Sequence, residues 1–290
     1  MKKLKHIFEY IIFLLLTRLL RIFSIDRSAA ICSFIARNIG PHLGVSKIAR
    51  KNLERTFGNK IDIDSTIKDI WDNFGRYIGE FPFINFLSPQ ELDQRVKFIG
   101  LENVKEFQRT NRPFLLCLSH QANWDFVIRK INEIYPKFSI IYRKANNPYV
   151  DCEILKERGN DPDINMIVKG TSGSKNIIKA IKTKSSIAML VDQKMNDGIE
   201  VPFFGLPAMT APAIAKLHLK YKYPIVPAQI VRKGKSSYFE IIIHPQLEYA
   251  PSGDLDLDCY NIMLIINKII EGWVRLKPHQ WFWFHNRWKI

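Results

Sequence analysis

The first hydrophobic pattern in the chain is also its strongest. From Ile7 to Thr17 nearly every residue is apolar, with Glu9 the interruption, and Arg18 and Arg21 follow among further apolar residues. The run falls short of the ~20 apolar residues a membrane-spanning helix needs, and it lacks the small-residue cleavage site of a secretory signal. It predicts an uncleaved membrane helix over residues 5 to 24, either a short span or a helix lying in the interface. In that reading Arg18 and Arg21 snorkel toward headgroups, and Lys2, Lys3 and Lys5 stay on the cytoplasmic side. A buried N-terminal core helix is the alternative. The expected division is an anchoring helix over residues 1 to 27 and a single domain over residues 28 to 290.

Residues 28 to 85 carry helical spacing. Val45, Ile48, Leu53 and Phe57 recur at helical intervals before Gly58, which suits a helix end. Ser65 is the expected N-cap of a second helix, whose broad apolar face holds Ile67, Ile70, Trp71, Phe74, Tyr77 and Ile78; Pro82 ends or kinks it. From about residue 95 the pattern changes to short apolar runs, at 114–119, 138–143, 164–168, 187–192, 225–231 and 238–244. Amphipathic stretches lie between most of them, at 124–134, 174–183 and 211–222. Strand and helix in alternation predict an α/β fold with a largely parallel central sheet flanked by helices. The last two strands are joined only by "RKGKSS", which predicts a hairpin and so an antiparallel edge.

Composition narrows the chemistry. Four scattered cysteines, Cys32, Cys117, Cys152 and Cys259, form no CxxC pair, and the histidines show no HExxH spacing, so no metal motif and no disulfide framework is expected. Net charge is +15, and residues 1 to 60 hold 12 Lys/Arg against 3 Asp/Glu. Such a surface attracts nucleic acid, anionic lipid or an acidic protein. The basic excess sits in the most apolar part of the chain, which favours lipid over nucleic acid.

One stretch carries candidate catalytic residues. In "LSHQANWDFV", His120 and Asp125 are five positions apart. On one helix they would lie about 140° apart and could not share a face. With His120 at the carboxyl end of strand 114–119, Asn123 as N-cap and Asp125 in the first helical turn, the loop can fold His120 back over Asp125. A carboxylate accepting one imidazole N–H fixes the tautomer and leaves the other nitrogen as a base. There is no GxSxG elbow, Ser119 points to the opposite strand face, and Cys117 reads as core. A base without an enzyme nucleophile suits direct acyl transfer to a substrate hydroxyl. Taken alone, a His and an Asp at this spacing more often make an ordinary hydrogen bond. Further polar residues follow other strands: Arg143 and Lys144 after the second, Lys175 near a small-residue helix start suited to an anion, and Asp192 and Gln193 at the fourth. A Gly/Pro-rich apolar loop then leads to Thr210, a candidate N-cap.

Together these pieces resemble the late lipid A acyltransferases, the lauroyl/myristoyl family of the H-x4-D/E acyltransferase superfamily, from about residue 10 to the C-terminus. The carrying motifs are "ARKNLERTFG", "SHQANWD", "IYRKANNP", "AMLVDQK", "VPFFGLPAMTAPAIAKL" and "WFWFHNRWK". The resemblance implies a catalytic base at His120 with Asp125, often Glu in the family, as its orienting partner. It implies substrate contacts at Arg143, Lys175, Asp192, Gln193 and Arg287; Lys175 stands where an Arg is expected and loses the bidentate fork. The implied reaction takes an acyl chain from an acyl carrier protein thioester to a hydroxyl of a Kdo-modified lipid A precursor, at the cytoplasmic face of the inner membrane. Neither a cofactor nor nucleic acid enters it.

The rivals are a glycerolipid or other glycolipid acyltransferase, a non-catalytic protein binding anionic lipid, and a nucleic-acid binder. For the aromatic C-terminus, Trp281, Phe282, Trp283, Phe284 and Trp288 beside Arg287 and Lys289, core packing and a lipid interface are both open. Arg287 is expected to face an anionic headgroup or brace the floor of the site.

Overall fold

The computed structural model describes residues 2–159 and 163–288. Helix α1 (Lys2–Leu20) ends earlier than expected, because Ser24 caps a new helix, α2 (Ile25–Ile39), accepting the backbone N–H of Arg27. α3 (Ser46–Phe57) stops at Gly58, whose φ of 54° suits glycine. α4 (Ile63–Glu80) is capped by Asp62, not Ser65: the Asp62 carboxylate accepts the N–H of Ser65 and moves the helix start forward. α2 and α4 cross at very close range. A Cβ on Gly75 would lie 2.5 Å from the Cys32 carbonyl oxygen, and one on Gly79 would lie 2.4 Å from that of Ser28. Only glycine allows this crossing, and it sets where α4 presents Asn73, Tyr77 and Glu80.

The remainder alternates as expected. α5 (Pro89–Arg95), β1 (Val96–Ile99) and α6 (Glu102–Arg109) lead to β2 (Leu115–Leu118), α7 (Asp125–Ile134), β3 (Phe138–Tyr142) and α8 (Pro148–Glu157). β4 (Ile164–Val168), α9 (Thr171–Lys182) and β5 (Ser186–Leu190) follow. A hairpin of β6 (Lys194–Phe203) and β7 (Leu206–Thr210) precedes α10 (Ala213–Tyr221), β8 (Ile225–Arg232), β9 (Phe239–Ile243) and α11 (Leu255–Leu276). The main sheet has the order β1-β9-β8-β2-β5-β3-β4. β8, β2, β5, β3 and β4 run parallel, β9 returns antiparallel to β8 through the expected hairpin, and β1 lies parallel to β9 at the edge.

Two elements depart from expectation. β1 is too short to show a periodicity. The Gly/Pro-rich loop after Gln193 is the separate β6–β7 hairpin, which turns on Phe204 and Gly205, both at positive φ. Pro202 and Pro207 are tolerated because a two-stranded sheet consists only of edges. Thr210 accordingly ends a strand, and α10 begins after Pro212.

The sheet separates two apolar cores. Leu115 and Cys117 face one core, with α9, α10, α11 and the terminal tryptophans; Leu116 and Leu118 face the other, with α5, α6 and α7. Adjacent residues of a strand point to opposite faces.

Among the described residues, no helix is long and apolar enough to cross a membrane. The short-span form of the N-terminal expectation is therefore corrected. Charged side chains at both ends and Glu9 within keep the apolar run short, and one side of α1 docks on the protein. The Asn147 side chain donates to the His6 carbonyl and to Glu9, and Phe13 packs edge-on against Phe81. The other side exposes Leu4, Phe8, Leu15, Leu16 and Leu19, and Phe34 and Ile35 of α2 are exposed as well.

Candidate active site

The register of β2 and β5 builds the center of the site. These parallel neighbors pair Leu118 with Leu190. Two residues further, His120 and Asp192 leave the carboxyl edge of the sheet side by side, at the edge where open α/β sheets bind ligands. Asp192 Oδ1 lies 2.7 Å from His120 Nδ1, and Oδ2 accepts the His120 backbone N–H at 2.9 Å and Trp281 Nε1 at 2.7 Å. An ionised carboxylate only accepts, so Nδ1 carries a proton whether or not the ring is charged, and in the neutral tautomer Nε2 is the nitrogen left to act as a base. Nε2 has no partner among the described residues, and the His120 side chain is 17% exposed, so a substrate can reach it. Burial acts to raise the Asp192 carboxyl, but the His120 charge and hydrogen bonds outweigh it and hold the group well below the usual range.

The loop carrying His120 is clamped by the C-terminal segment. The His120 carbonyl accepts from Phe282 at 3.0 Å, and Ala122, at φ 45°, donates to the Gln280 carbonyl at 2.8 Å. The Gln280 side chain bonds both the N–H and the carbonyl of Arg232. Arg232 pairs with the fully buried Glu80, which also accepts from Asn123 at 2.9 Å and from Ser237 at 2.8 Å. Asn123 is thus drawn to Glu80 and does not cap α7, which Trp124 precedes.

The expected hydrogen bond between His120 and Asp125 is not formed. Asp125 is fully buried, and its two oxygens accept from Arg158 Nε at 2.9 Å and from the Tyr77 hydroxyl at 2.8 Å. Each Asp125 oxygen is held by a residue other than His120, whose Nδ1 is committed to Asp192. Burial first, and the Asp125 charge after it, push the Tyr77 hydroxyl well above its usual range, so it stays a donor. Burial acts to lower the Arg158 guanidinium, but the Asp125 charge outweighs it and raises the group. The Tyr77 ring stacks on Trp124 at 4.5 Å, and Trp124 stands edge-on to His120 at 5.1 Å. Asp125 thus reaches His120 through two aromatic rings. Ser119 is buried and donates to Gln121, and burial raises the Cys117 thiol far out of a reactive range, so neither is an available nucleophile.

The other sequence-predicted residues are dispersed. Arg143, after β3, and Lys175, on α9, are exposed at or near the carboxyl edge, and neither forms an ion pair with a described acidic residue. Gln193 is half-buried beside Asp192. Arg287 is fully buried: Nη1 donates to the Met209 carbonyl at 2.9 Å, Nη2 donates to Thr210 Oγ1 at 2.8 Å, and the guanidinium lies 4.9 Å from the Phe203 ring center. Of its two expected positions it takes the internal brace. Burial lowers it to about 10, against the pull of Asp192. Trp281, Trp283, Phe284 and Trp288 are buried, so core packing, not a lipid interface, accounts for them; Lys289 lies outside the described residues. No cluster among the described residues could hold a metal ion.

Sequence reasoning did not assign Tyr77, Glu80, Trp124, Arg158, Arg232, Trp281 or His285 to the site. His285, behind Trp281, is lowered to about 4, by burial first, with the His120 charge adding to that and Asp192 opposing it; its Nδ1 bonds the Phe282 carbonyl, and its Nε2 is buried without a partner among the described residues.

Residues 1–290 match the protein family described as bacterial lipid A biosynthesis acyltransferase. The chain is 26% identical over 248 residues to the lipid A biosynthesis palmitoleoyltransferase of Escherichia coli (strain K12), covering 83% of this chain and 78% of that protein. It has the same identity and coverage with the lipid A biosynthesis acyltransferase of Shigella flexneri.

Proposed function

The chain belongs to the bacterial lipid A biosynthesis acyltransferases, and from that premise we propose that it moves a fatty acyl chain from an acyl carrier protein thioester to a hydroxyl of a Kdo-modified lipid A precursor. Membership makes it an acyltransferase with a lipid A-type acceptor and an acyl donor. The observation supporting direct transfer is the accessible His120 ring, held in one tautomer by Asp192 with no available nucleophile beside it.

His120 Nε2 takes the acceptor hydroxyl proton as that oxygen attacks the thioester carbonyl carbon. The carbon–sulfur bond then breaks, and the leaving thiolate recovers the proton from the imidazolium, so the products are an ester and a free thiol. Asp192 orients the His120 ring, the part expected of Asp125, and stabilises the imidazolium; Asp125 is a positioning residue that holds Tyr77 and, through it, Trp124. Arg143 and Lys175 bind phosphates of the acceptor or of the donor's phosphopantetheine, and Gln193 offers an amide beside Asp192. Arg287 supports the β6–β7 hairpin under the site. The exposed apolar side chains of α1 and α2 rest in the cytoplasmic surface of the inner membrane, with lysines 2, 3 and 5 among headgroups.

Mass spectrometry of products from a defined Kdo-modified precursor and an acyl carrier protein thioester tests this. One added acyl group on the precursor is expected, and none with His120→Ala. Acylation of lysophosphatidate instead, or an isolated acyl-enzyme, would overturn it.

A further inference from the structure

Between Ile164 and Val191 the chain holds five lysines and no Asp or Glu. Lys175, Lys179 and Lys182 lie at i, i+4 and i+7 on α9 and are exposed, with Ile178 exposed between them. This spacing puts all four side chains on one stripe. The opposite side of α9, with Ile177, Ala180 and Ile181, packs on the sheet. None of the five lysines forms an ion pair with a described acidic residue, and with Asp163 the acidic residue lining the cavity beside Lys179, the stripe keeps a positive excess.

The position of this stripe distinguishes it from a lipid-binding surface. α9 packs on the core that holds Leu115 and Cys117, whereas Phe13 of α1 packs on the core that holds Leu116 and Leu118. α1 and α9 therefore lie on opposite faces of the sheet. With the apolar side of α1 in the membrane, the lysine stripe faces water. α9 starts just beyond the carboxyl end of β4, the edge where His120 and Asp192 emerge, and runs back toward the amino ends of the strands, so Lys179 and Lys182 lie about 12 and 17 Å further along it, Lys179 beside Phe138 and Asp163. β4 is three strands from β2, a lateral separation of about 14 Å at ~4.8 Å per strand.

We propose that the outer stripe of α9 is the docking surface for the donor: a soluble protein with an acidic face, seated on Lys179, Lys182 and Ile178, which passes its thioester arm around the start of α9 to His120. The proposal rests on the carrier-thioester reading above. A basic stripe with one apolar contact fits an acidic helix, and the charge steers the encounter.

The test uses the full chain in detergent micelles, with an acyl thioester on acidic acyl carrier protein and, separately, on free pantetheine. Lys179→Glu/Lys182→Glu should raise KM for the carrier thioester by about tenfold or more and leave turnover of the pantetheine thioester unchanged. Lys179→Gln/Lys182→Gln should fall between, and Lys105→Glu, a single charge reversal on α6 equal in charge to the glutamine pair, should have no effect. Unchanged carrier kinetics in the double variant, or equal losses with both thioesters, would overturn the proposal. So would loss of binding to anionic vesicles with carrier kinetics intact, which would make the stripe a lipid surface. A wild-type chain that takes acyl groups from pantetheine but never from the carrier would instead refute the donor reading, and the docking surface with it.

Discussion

Asp192 holds His120 at two points, the ring through one carboxylate oxygen and the backbone N–H through the other, at 2.7 and 2.9 Å. The backbone contact places the residue, and the ring contact sets the tautomer. Asp192→Asn can keep the first and corrupt the second, since an amide can present N–H to Nδ1 and turn the lone pair the wrong way. We expect kcat to fall about 10²- to 10⁴-fold with little change in KM for the acceptor. Steady-state kinetics decide it: a variant that keeps normal kcat would remove Asp192 from the chemistry.

The difference between the expected and observed partner of His120 shows what a sequence can carry. The strands at 138–143 and 164–168, the hairpin at "RKGKSS" and the helix stop at Gly58 are local patterns of apolar period and turn chemistry, and they were legible. His120 at a strand end was legible for the same reason, and so was Asp192. Their pairing was not, because it depends on β2 and β5 being neighbors, which is a property of the sheet and not of either segment. Nearness along the chain favoured Asp125, whose real partners come from α4 and from the end of α8. The β6–β7 hairpin was hidden by its prolines and glycine, which mark loops more often than strands.

Asp125 should behave as part of a buried ion pair. Asp125→Asn leaves the Arg158 charge without its partner, and breaking such a pair costs about 3–5 kcal/mol. Thermal unfolding should therefore show Asp125→Asn well below Asp192→Asn in stability. The double variant Asp125→Leu/Arg158→Met should be more stable than either single change, since no unpaired charge remains. Single and double losses that simply add would show that the two residues are not coupled.

Arg287 donates to a strand carbonyl and to Thr210 and lies against the Phe203 ring. Arg287→Ala should cost roughly 2–4 kcal/mol from lost charged hydrogen bonds and the space left behind. Lysine should not restore it, because one ammonium cannot reproduce the planar fork. A loss of acceptor affinity with unfolding unchanged would move Arg287 from the brace to the substrate.

His285 gives a pH dependence whose sign follows from its burial. Its pKa in the folded protein is about 4, against ~6.5 for an exposed histidine. Between these values the unfolded chain binds the proton that the folded chain refuses, so stability rises with pH across that window. It is fully present above pH ~6.5 and is lost as pH falls toward 4, by on the order of 3 kcal/mol. Unfolding midpoints from pH 7 to pH 4 should show a smaller acid loss for His285→Gln than for the wild type. Parallel curves would assign the acid sensitivity to other groups.

The exposed apolar residues of α1 and α2 predict how the protein meets lipid. Since no described helix can cross a membrane, attachment should come from side chains entering one leaflet, with the nearby lysines adding a salt-sensitive part. Burying a side chain such as Phe8, Leu15 or Phe34 contributes about 1.5–3 kcal/mol each. Phe8→Asp, Leu15→Asp and Phe34→Asp combined should release the protein from anionic vesicles at 0.5 M salt (~4 Å Debye length), where the wild type stays bound. All three side chains are exposed, so the fold should survive, and turnover of a water-soluble short-chain acceptor should survive with it. Vesicle binding by the triple variant that still resists high salt would place the attachment elsewhere on the molecule.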